Sequence, residues 1–133
     1  MTFRWLLKQA VLAIHTEQLA EHGGVSGLRD EGLLESALAR PQNLTTYEGE
    51  TDPAALAAAY AWGILRNHPF VDGNKRTAFV CAATFHLLNS TPLDADEAEV
   101  VAVFLQAAAG EIDEERLAEW LRLRAMERLK KST

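Results

Sequence analysis

The chain is poor in the residues that mark several classes of protein. It has one cysteine, Cys81, in 133 residues, so it can form no internal disulfide. The apolar neighbours of Cys81 favour a thiol in the core over a catalytic one. No apolar run is long enough to span a bilayer, and the first residues lack the features of a secretory signal. We therefore expect a cytoplasmic protein without membrane association.

Basic residues and chain breakers are also scarce. The 13 Lys and Arg residues are outnumbered by 19 acidic residues, which gives a net charge of −6. Broad binding to nucleic acid depends on neutralising phosphates, so direct nucleic acid binding is not expected. The 4 prolines and 8 glycines form no linker, and 48% of the residues are hydrophobic. We predict one domain over residues 1–133 with a single core.

Apolar residues recur three and four positions apart, which predicts an all-α fold of about six helices. The first covers about residues 5–21 and ends at Gly23-Gly24. Asp30 caps a short second helix that Pro41 ends, and residues 41–51 are then a surface loop. The third helix is predicted from Asp52-Pro53 to Asn67 or His68, because the residue before Pro69 is pushed toward extended geometry. The others are predicted from Lys75 to Leu88, from a capping box at Asp94 to Gly110, and from Asp113 onward, with Arg128 and Lys130 on its polar side.

Residues 68–76, His-Pro-Phe-Val-Asp-Gly-Asn-Lys-Arg, are the most informative segment of the chain. They join two predicted helices, so the second helix presents its free N–H groups to the loop, where they can bind phosphate. Arg66, Lys75 and Arg76 face only one nearby acid, Asp72, although the whole chain is acidic. This local positive charge suits an anionic ligand.

The other residues of the segment have chemistry that completes such a site. Gly73 allows a sharp turn, and Asn74 can cap the next helix or hydrogen-bond within the loop. Asp72 can hold Mg²⁺, which binds one or two carboxylates together with phosphates, and a histidine such as His68 can accept a hydroxyl proton. Phe70 is expected in the core. Each residue alone is explained as well by a turn or a solvated surface, but the joint arrangement favours the active site of a nucleotide-dependent enzyme.

The same residues resemble the signature of the Fic superfamily. With lysine at position 75, they resemble the Doc (death-on-curing) variant of that signature. Upstream, the segments from Gly23 to Asp30 and from Gly32 to Pro41 are similar to the N-terminal part of Doc-like proteins. The resemblance spans about residues 5–125. It implies a single compact Fic/Doc-like helical domain, with the active-site loop and helix start at 68–76 between two central helices.

The resemblance also implies an activity. Most Fic enzymes transfer AMP from ATP to a protein hydroxyl and have glycine where this chain has Lys75. In Doc-like members, the lysine implies that ATP binds in the opposite sense and that its γ-phosphate is transferred. The implied protein is a toxin of a type II toxin-antitoxin system, a serine/threonine kinase that modifies a threonine of elongation factor Tu and blocks translation. The alternatives are a Fic-type AMP transferase and a catalytically inactive module that binds the ribosome or an antitoxin.

Roles follow from the resemblance position by position. His68 would be the general base and Asp72 the Mg²⁺ ligand, and ATP would be bound through Arg66, Gly73, Asn74, Lys75 and Arg76. The chain departs from the Doc pattern at Val80, where an asparagine is expected.

No internal inhibitor is expected from the sequence. Regulated Fic enzymes have Ser or Thr four residues before the Glu of an inhibitory helix, whereas Glu48 and Glu31 follow Leu44 and Gly27 at that spacing. The resemblance thus implies a Phd-like antitoxin as inhibitor in trans. The outward sides of the first and last helices are candidate surfaces for it, with Trp5 and Trp120 more simply placed in the chain's own core.

Overall fold

A computed structural model describes residues 2–126, which fold into six helices. They are α1 (Lys8–His22), α2 (Glu31–Glu48), α3 (Pro53–Asn67), α4 (Asn74–Leu88), α5 (Glu97–Ala108) and α6 (Glu114–Arg124). Within this range the only β-type pairing is two isolated bridges. The predicted all-α fold is confirmed. Arg128 and Lys130 lie outside the described residues, so their predicted place on the last helix is not compared.

Helix α3 is the centre of the fold. It is buried over most of its length and packs against α2, α4 and α6. Its sequence is rich in alanine and apolar on all sides, as expected for a helix surrounded by others. A Cβ added to Gly63 would lie 3.0 Å from the Ala37 Cβ, so the absence of a side chain lets α2 and α3 approach closely. The motif loop, residues 68–73, therefore connects two central helices, α3 and α4.

The N-terminal segment is extended where the sequence predicted the first turn of α1. The helix begins at Lys8, and the residues before it pack across the core. The Leu6 N–H donates to the Tyr60 hydroxyl at 3.0 Å, and the Trp5 ring stacks on Phe85. These tertiary contacts place apolar residues in the core without a helix. The predicted end of α1 at Gly23 is confirmed.

Helix α2 continues through Pro41 to Glu48, so the predicted helix end at Pro41 and the surface loop after it are wrong. A proline inside a helix costs about 3 kcal/mol through a lost hydrogen bond and a steric clash. The Pro41 ring is fully buried, and the Arg40 guanidinium next to it forms a two-point ion pair with Glu114 of α6. Packing on both sides of the proline offsets its local cost.

Helix starts follow local capping signals in three of four cases. The predicted caps Asp30, Asp52 and Asp113 are confirmed, because each side chain accepts a backbone N–H of the first turn. The predicted cap Asp94 is wrong, since α5 begins after Asp96. The Asp94 N–H donates instead to the Arg124 carbonyl at 2.8 Å, beside a bridge between Leu93 and Ala125. Pairing with the end of α6 holds this segment extended.

Three residues with an alternative functional interpretation belong to the core or pack against it. Cys81 is buried, and burial raises the pKa of its thiol to about 12, so it stays a neutral core residue. Trp5 and Trp120 pack against the core, Trp120 with its ring edge-on to Phe104. No helix in residues 2–126 combines the length and apolar character needed to cross a membrane.

Candidate active site

The end of α3 sets the direction of the motif loop. The helix ends at Asn67 as predicted, but His68 has left-handed backbone angles, φ 49° and ψ 55°, instead of the expected extended geometry. This conformation costs a residue with a side chain about 1–2 kcal/mol. The Arg29 guanidinium donates to the Asn67 carbonyl at 2.7 Å and to the His68 carbonyl at 2.6 Å. These charged hydrogen bonds stabilise the turn and satisfy two carbonyls at the helix end.

The Asn74 side chain holds the loop from inside. It is 4% exposed, and its Oδ1 accepts the Phe70 N–H at 3.1 Å while its Nδ2 donates to the Phe70 carbonyl at 2.9 Å. Phe70 is buried as expected, and its backbone pairs with Leu28. Asn74 therefore hydrogen-bonds within the loop and does not cap α4.

His68 is exposed beside this amide. Its Nδ1 lies 3.2 Å from the Asn74 Nδ2. The bonds to Phe70 fix which end of the amide is nitrogen, and an amide nitrogen only donates, so Nδ1 is the acceptor. The neutral ring then carries its proton on Nε2.

The Asp72 carboxylate is held by backbone donors. The Val25 N–H donates to Oδ2 at 3.2 Å and the Gly73 N–H donates to Oδ1 at 2.9 Å. These bonds, and then the charges of Arg76 and Lys75, lower the pKa of Asp72 below its usual value. The group is an exposed anion at neutral pH. Each oxygen keeps lone pairs for a further ligand.

The first turn of α4 presents donors and cations together. Gly73, with φ 76°, precedes the helix, and the first hydrogen bond of the helix runs from the Thr77 N–H to the Gly73 carbonyl. The N–H groups of Asn74, Lys75 and Arg76 therefore precede the helical ladder. Within residues 2–126, neither the Lys75 nor the Arg76 side chain forms a salt bridge. A cavity of about 180 Å³ is lined by His68, Val71, Asp72, Gly73, Asn74, Lys75 and Arg76.

Arg66 is the one sequence-predicted site residue that does not line this cavity. Its guanidinium lies over the Trp62 ring, 4.3 Å from the ring centre. The Arg66 side chain is exposed at the end of α3, and its role in binding phosphate stays a prediction.

Comparison with known proteins identifies the family of the chain. The model of the Fic/DOC family matches residues 5–86 of the chain. The chain belongs to the Fic/DOC family. It is 33% identical over 119 residues to "Protein kinase doc" of Escherichia phage P1, which covers 90% of this chain and 94% of that protein. It is 47% identical over 76 residues to "Toxin Doc" of Mycolicibacterium smegmatis, covering 56% of this chain and 58% of that toxin.

A larger groove adjoins the motif cavity of this Fic/DOC domain. Its volume is about 640 Å³, and it shares Lys75 and Arg76 with the smaller cavity. Its walls are mainly apolar and include Phe79, Val80 and Phe104. Val80, where the Doc-type pattern has asparagine, thus contributes an apolar surface to the groove instead of a polar contact.

Three residues that support the site were not predicted from the sequence. Arg29 holds the end of α3, Val25 binds the Asp72 carboxylate, and the His15 Nε2 lies 2.8 Å from the Asp72 carbonyl oxygen. Val25 and Arg29 fall in the segment whose likeness to the Fic/DOC family was noted, but the likeness gave them no role. Nothing in the local pattern around His15 points to the motif.

Proposed function

We propose that this chain is the toxin of a type II toxin-antitoxin system, a cytoplasmic protein kinase that transfers the γ-phosphate of ATP to a threonine of elongation factor Tu. Blocked translation follows from that modification. The observation that carries the proposal is the presence of Lys75 in one small cavity with Asp72 and His68. A relative named "Protein kinase doc" that covers 90% of this chain supports it.

The two adjoining cavities suit a nucleoside triphosphate. The groove of about 640 Å³ has the size of a small-molecule site and apolar walls for the adenine. Lys75 and Arg76 lie where the groove meets the motif cavity, so they can bind the phosphates between the two. The N–H groups at the start of α4 add donors for the same oxygens.

Asp72 fits the requirement of Mg²⁺ for an oxygen ligand. Its carboxylate is ionised at neutral pH, and both oxygens are already oriented by backbone N–H groups. No cluster of three or more acidic, His or Cys side chains suited to a metal occurs in residues 2–126. One carboxylate is nevertheless sufficient, because Mg²⁺ takes its other ligands from water and phosphates. The bound ion would neutralise charge on the transferring phosphoryl group.

His68 would receive the proton of the attacking threonine hydroxyl. In the structure its Nδ1 accepts the Asn74 amide at 3.2 Å, a longer contact than the 2.9 Å bond from the same amide to Phe70. The weaker contact is the one that a substrate replaces. Proton transfer therefore requires the hydroxyl to take the place of the amide at Nδ1, or the ring to turn away from Asn74.

A Phd-like antitoxin is the proposed inhibitor. The relative named "Toxin Doc" supports a toxin, and a toxin needs a partner that keeps it inactive. The proposed occupant is an amphipathic segment of the antitoxin, which can bury its apolar face against an exposed apolar surface. Val101 and Leu105 of α5 are about half exposed along the groove and offer one such surface.

Phosphoryl transfer is tested by incubating the purified chain with Mg²⁺, elongation factor Tu and ATP labelled at either the γ or the α position. Label from γ-labelled ATP should appear on a threonine of the factor, and His68→Ala should reduce the rate by roughly 100-fold or more, the size of a general-base contribution. Tyr47→Ala removes an 80% exposed side chain of α2 that lines neither the groove nor the motif cavity, and it should leave the rate unchanged. Transfer from α-labelled ATP alone would instead identify an AMP transferase.

The role of Lys75 is tested by Lys75→Gly, which introduces the glycine that most Fic enzymes have at this position. We expect the variant to lose γ-phosphate transfer because it loses a phosphate-binding cation. An unchanged rate of γ-phosphate transfer would contradict the proposed role of the lysine.

A further inference from the structure

His15 is a buried polar residue that belongs to α1, 57 positions before Asp72 in the sequence. It is 5% exposed, and its Nε2 lies 2.8 Å from the Asp72 carbonyl oxygen. A carbonyl oxygen only accepts hydrogen bonds, so Nε2 must carry a proton. The contact therefore fixes both the orientation of the imidazole and the position of its proton.

The His15 ring is held in place by a second contact. It stacks on the Phe70 ring at 3.8 Å between centres, with 9° between the ring planes. Phe70 is itself in the core and hydrogen-bonded through its backbone to Asn74. The donor of His15 is thus aimed by packing and not by a flexible side chain.

The contacts from the α1 side act on both ends of residue 72. His15 binds the backbone carbonyl of Asp72, while the N–H of Val25, three residues after the end of α1, binds its carboxylate. The next residue, Gly73, lies against the same imidazole, because a Cβ added to Gly73 would be 3.7 Å from the His15 Nε2. The peptide that joins the carboxylate to the start of α4 is therefore fixed by α1.

We infer that His15 is a positioning residue of the active site, which sets the place of the Asp72 carboxylate relative to the N-terminus of α4. Its side chain lines neither the motif cavity nor the larger groove, so it acts through Asp72. Its effect on transfer rests on the proposed function, whereas its effect on the loop does not. Supporting residues of a metal ligand typically contribute about 10- to 100-fold to metal affinity or activity, so the loss should be measurable.

Three substitutions separate the hydrogen bond from the packing. His15→Gln places an amide N–H near the position of Nε2, His15→Asn places it near Nδ1 and falls short, and His15→Phe keeps the stacking without a donor. The glutamine and asparagine variants are a matched pair, since they differ in reach and not in chemistry. Circular dichroism and thermal unfolding first establish that each variant folds.

The first readout is spectroscopic and needs no substrate. In the unsubstituted protein, long-range ¹H–¹⁵N correlation should show His15 protonated on Nε2. The amide signals of Asp72, Gly73 and Asn74 should keep their positions in His15→Gln and move in His15→Asn and His15→Phe. An Nε2 without a proton, or loop signals that move equally in the glutamine and asparagine variants, would overturn the inference.

The second readout is the Mg²⁺ requirement of phosphoryl transfer from ATP. In His15→Asn and His15→Phe the half-saturating Mg²⁺ concentration should rise by about 10-fold, with the KM for elongation factor Tu nearly unchanged, and His15→Gln should restore it. A folded His15→Phe with the normal Mg²⁺ requirement would also overturn the inference. If the unsubstituted protein transfers no phosphate, the proposed function fails, and the amide signals still decide the role of His15.

Discussion

Gly73 is the residue at which the motif loop becomes α4, with φ 76° and ψ 17°. An alanine in this left-handed conformation costs about 1–2 kcal/mol. Its Cβ would also lie 3.3 Å from Leu19 Cδ2 and would press on the loop from the α1 side. We expect Gly73→Ala to lower the free energy of unfolding by about that amount in urea denaturation, and to abolish phosphoryl transfer because the start of α4 moves.

Gly49 provides the matched control for this substitution. It is also left-handed, with φ 72°, and ends α2, but no atom lies within 4 Å of an added Cβ. Gly49→Ala should therefore show a similar loss of stability with normal transfer. If Gly73→Ala keeps normal activity, the turn at Gly73 does not position the site.

At the scale of elements, the end of α4 makes stability depend on pH. His86 is fully buried there, its Nδ1 lies 3.0 Å from the Thr91 hydroxyl, and its Nε2 has no partner among the described residues. Burial lowers the pKa of His86 below its usual value near 6.5. As the pH falls below about 6.5, the unfolded chain binds a proton at this position that the folded protein resists, so stability is lost by at most about 1.4 kcal/mol per pH unit.

Removing this histidine should flatten that decline. We expect the free energy of unfolding of His86→Gln, measured by urea denaturation between pH 7.5 and 5 (about the range in which histidine titrates), to fall less with decreasing pH than that of the unsubstituted protein. His22→Gln, at the exposed end of α1, controls for the loss of a histidine. An equal decline of the free energy of unfolding in His86→Gln and in the unsubstituted protein would show that His86 does not couple folding to pH.

Local signals in the sequence predicted the helices well where the start of the helix depends on neighbouring residues. The caps Asp30, Asp52 and Asp113 are of this kind, because each side chain bonds a backbone N–H two or three residues later. The predictions at Pro41 and Asp94 were wrong because distant contacts decide those positions. Pro41 is held by burial, and Asp94 pairs with Arg124.

At the scale of the whole molecule, the same division separates what could be predicted of the site from what could not. The motif residues from His68 to Arg76 are adjacent in sequence, so the pattern alone brought them together. His15, Val25 and Arg29 reach the loop from 38 to 57 positions away, and only the packing of α1 and the segment after it places them there. The site is therefore assembled from three regions of the fold: α1, the segment between α1 and α2, and the motif loop with the start of α4.

Because the site is assembled only in the folded chain, ligands that bind it should stabilise the whole molecule. A ligand at 100 times its Kd adds about 2.7 kcal/mol to the free energy of unfolding. ATP should therefore raise the thermal unfolding midpoint, and Mg²⁺ should increase the shift further because Asp72 contributes a ligand to the ion. Asp72→Asn should retain the shift caused by ATP alone and lose the additional shift caused by Mg²⁺, whereas Lys75→Ala should reduce both. Differential scanning fluorimetry with ATP, with and without Mg²⁺, measures these shifts, and an undiminished effect of Mg²⁺ in Asp72→Asn would place the ion elsewhere.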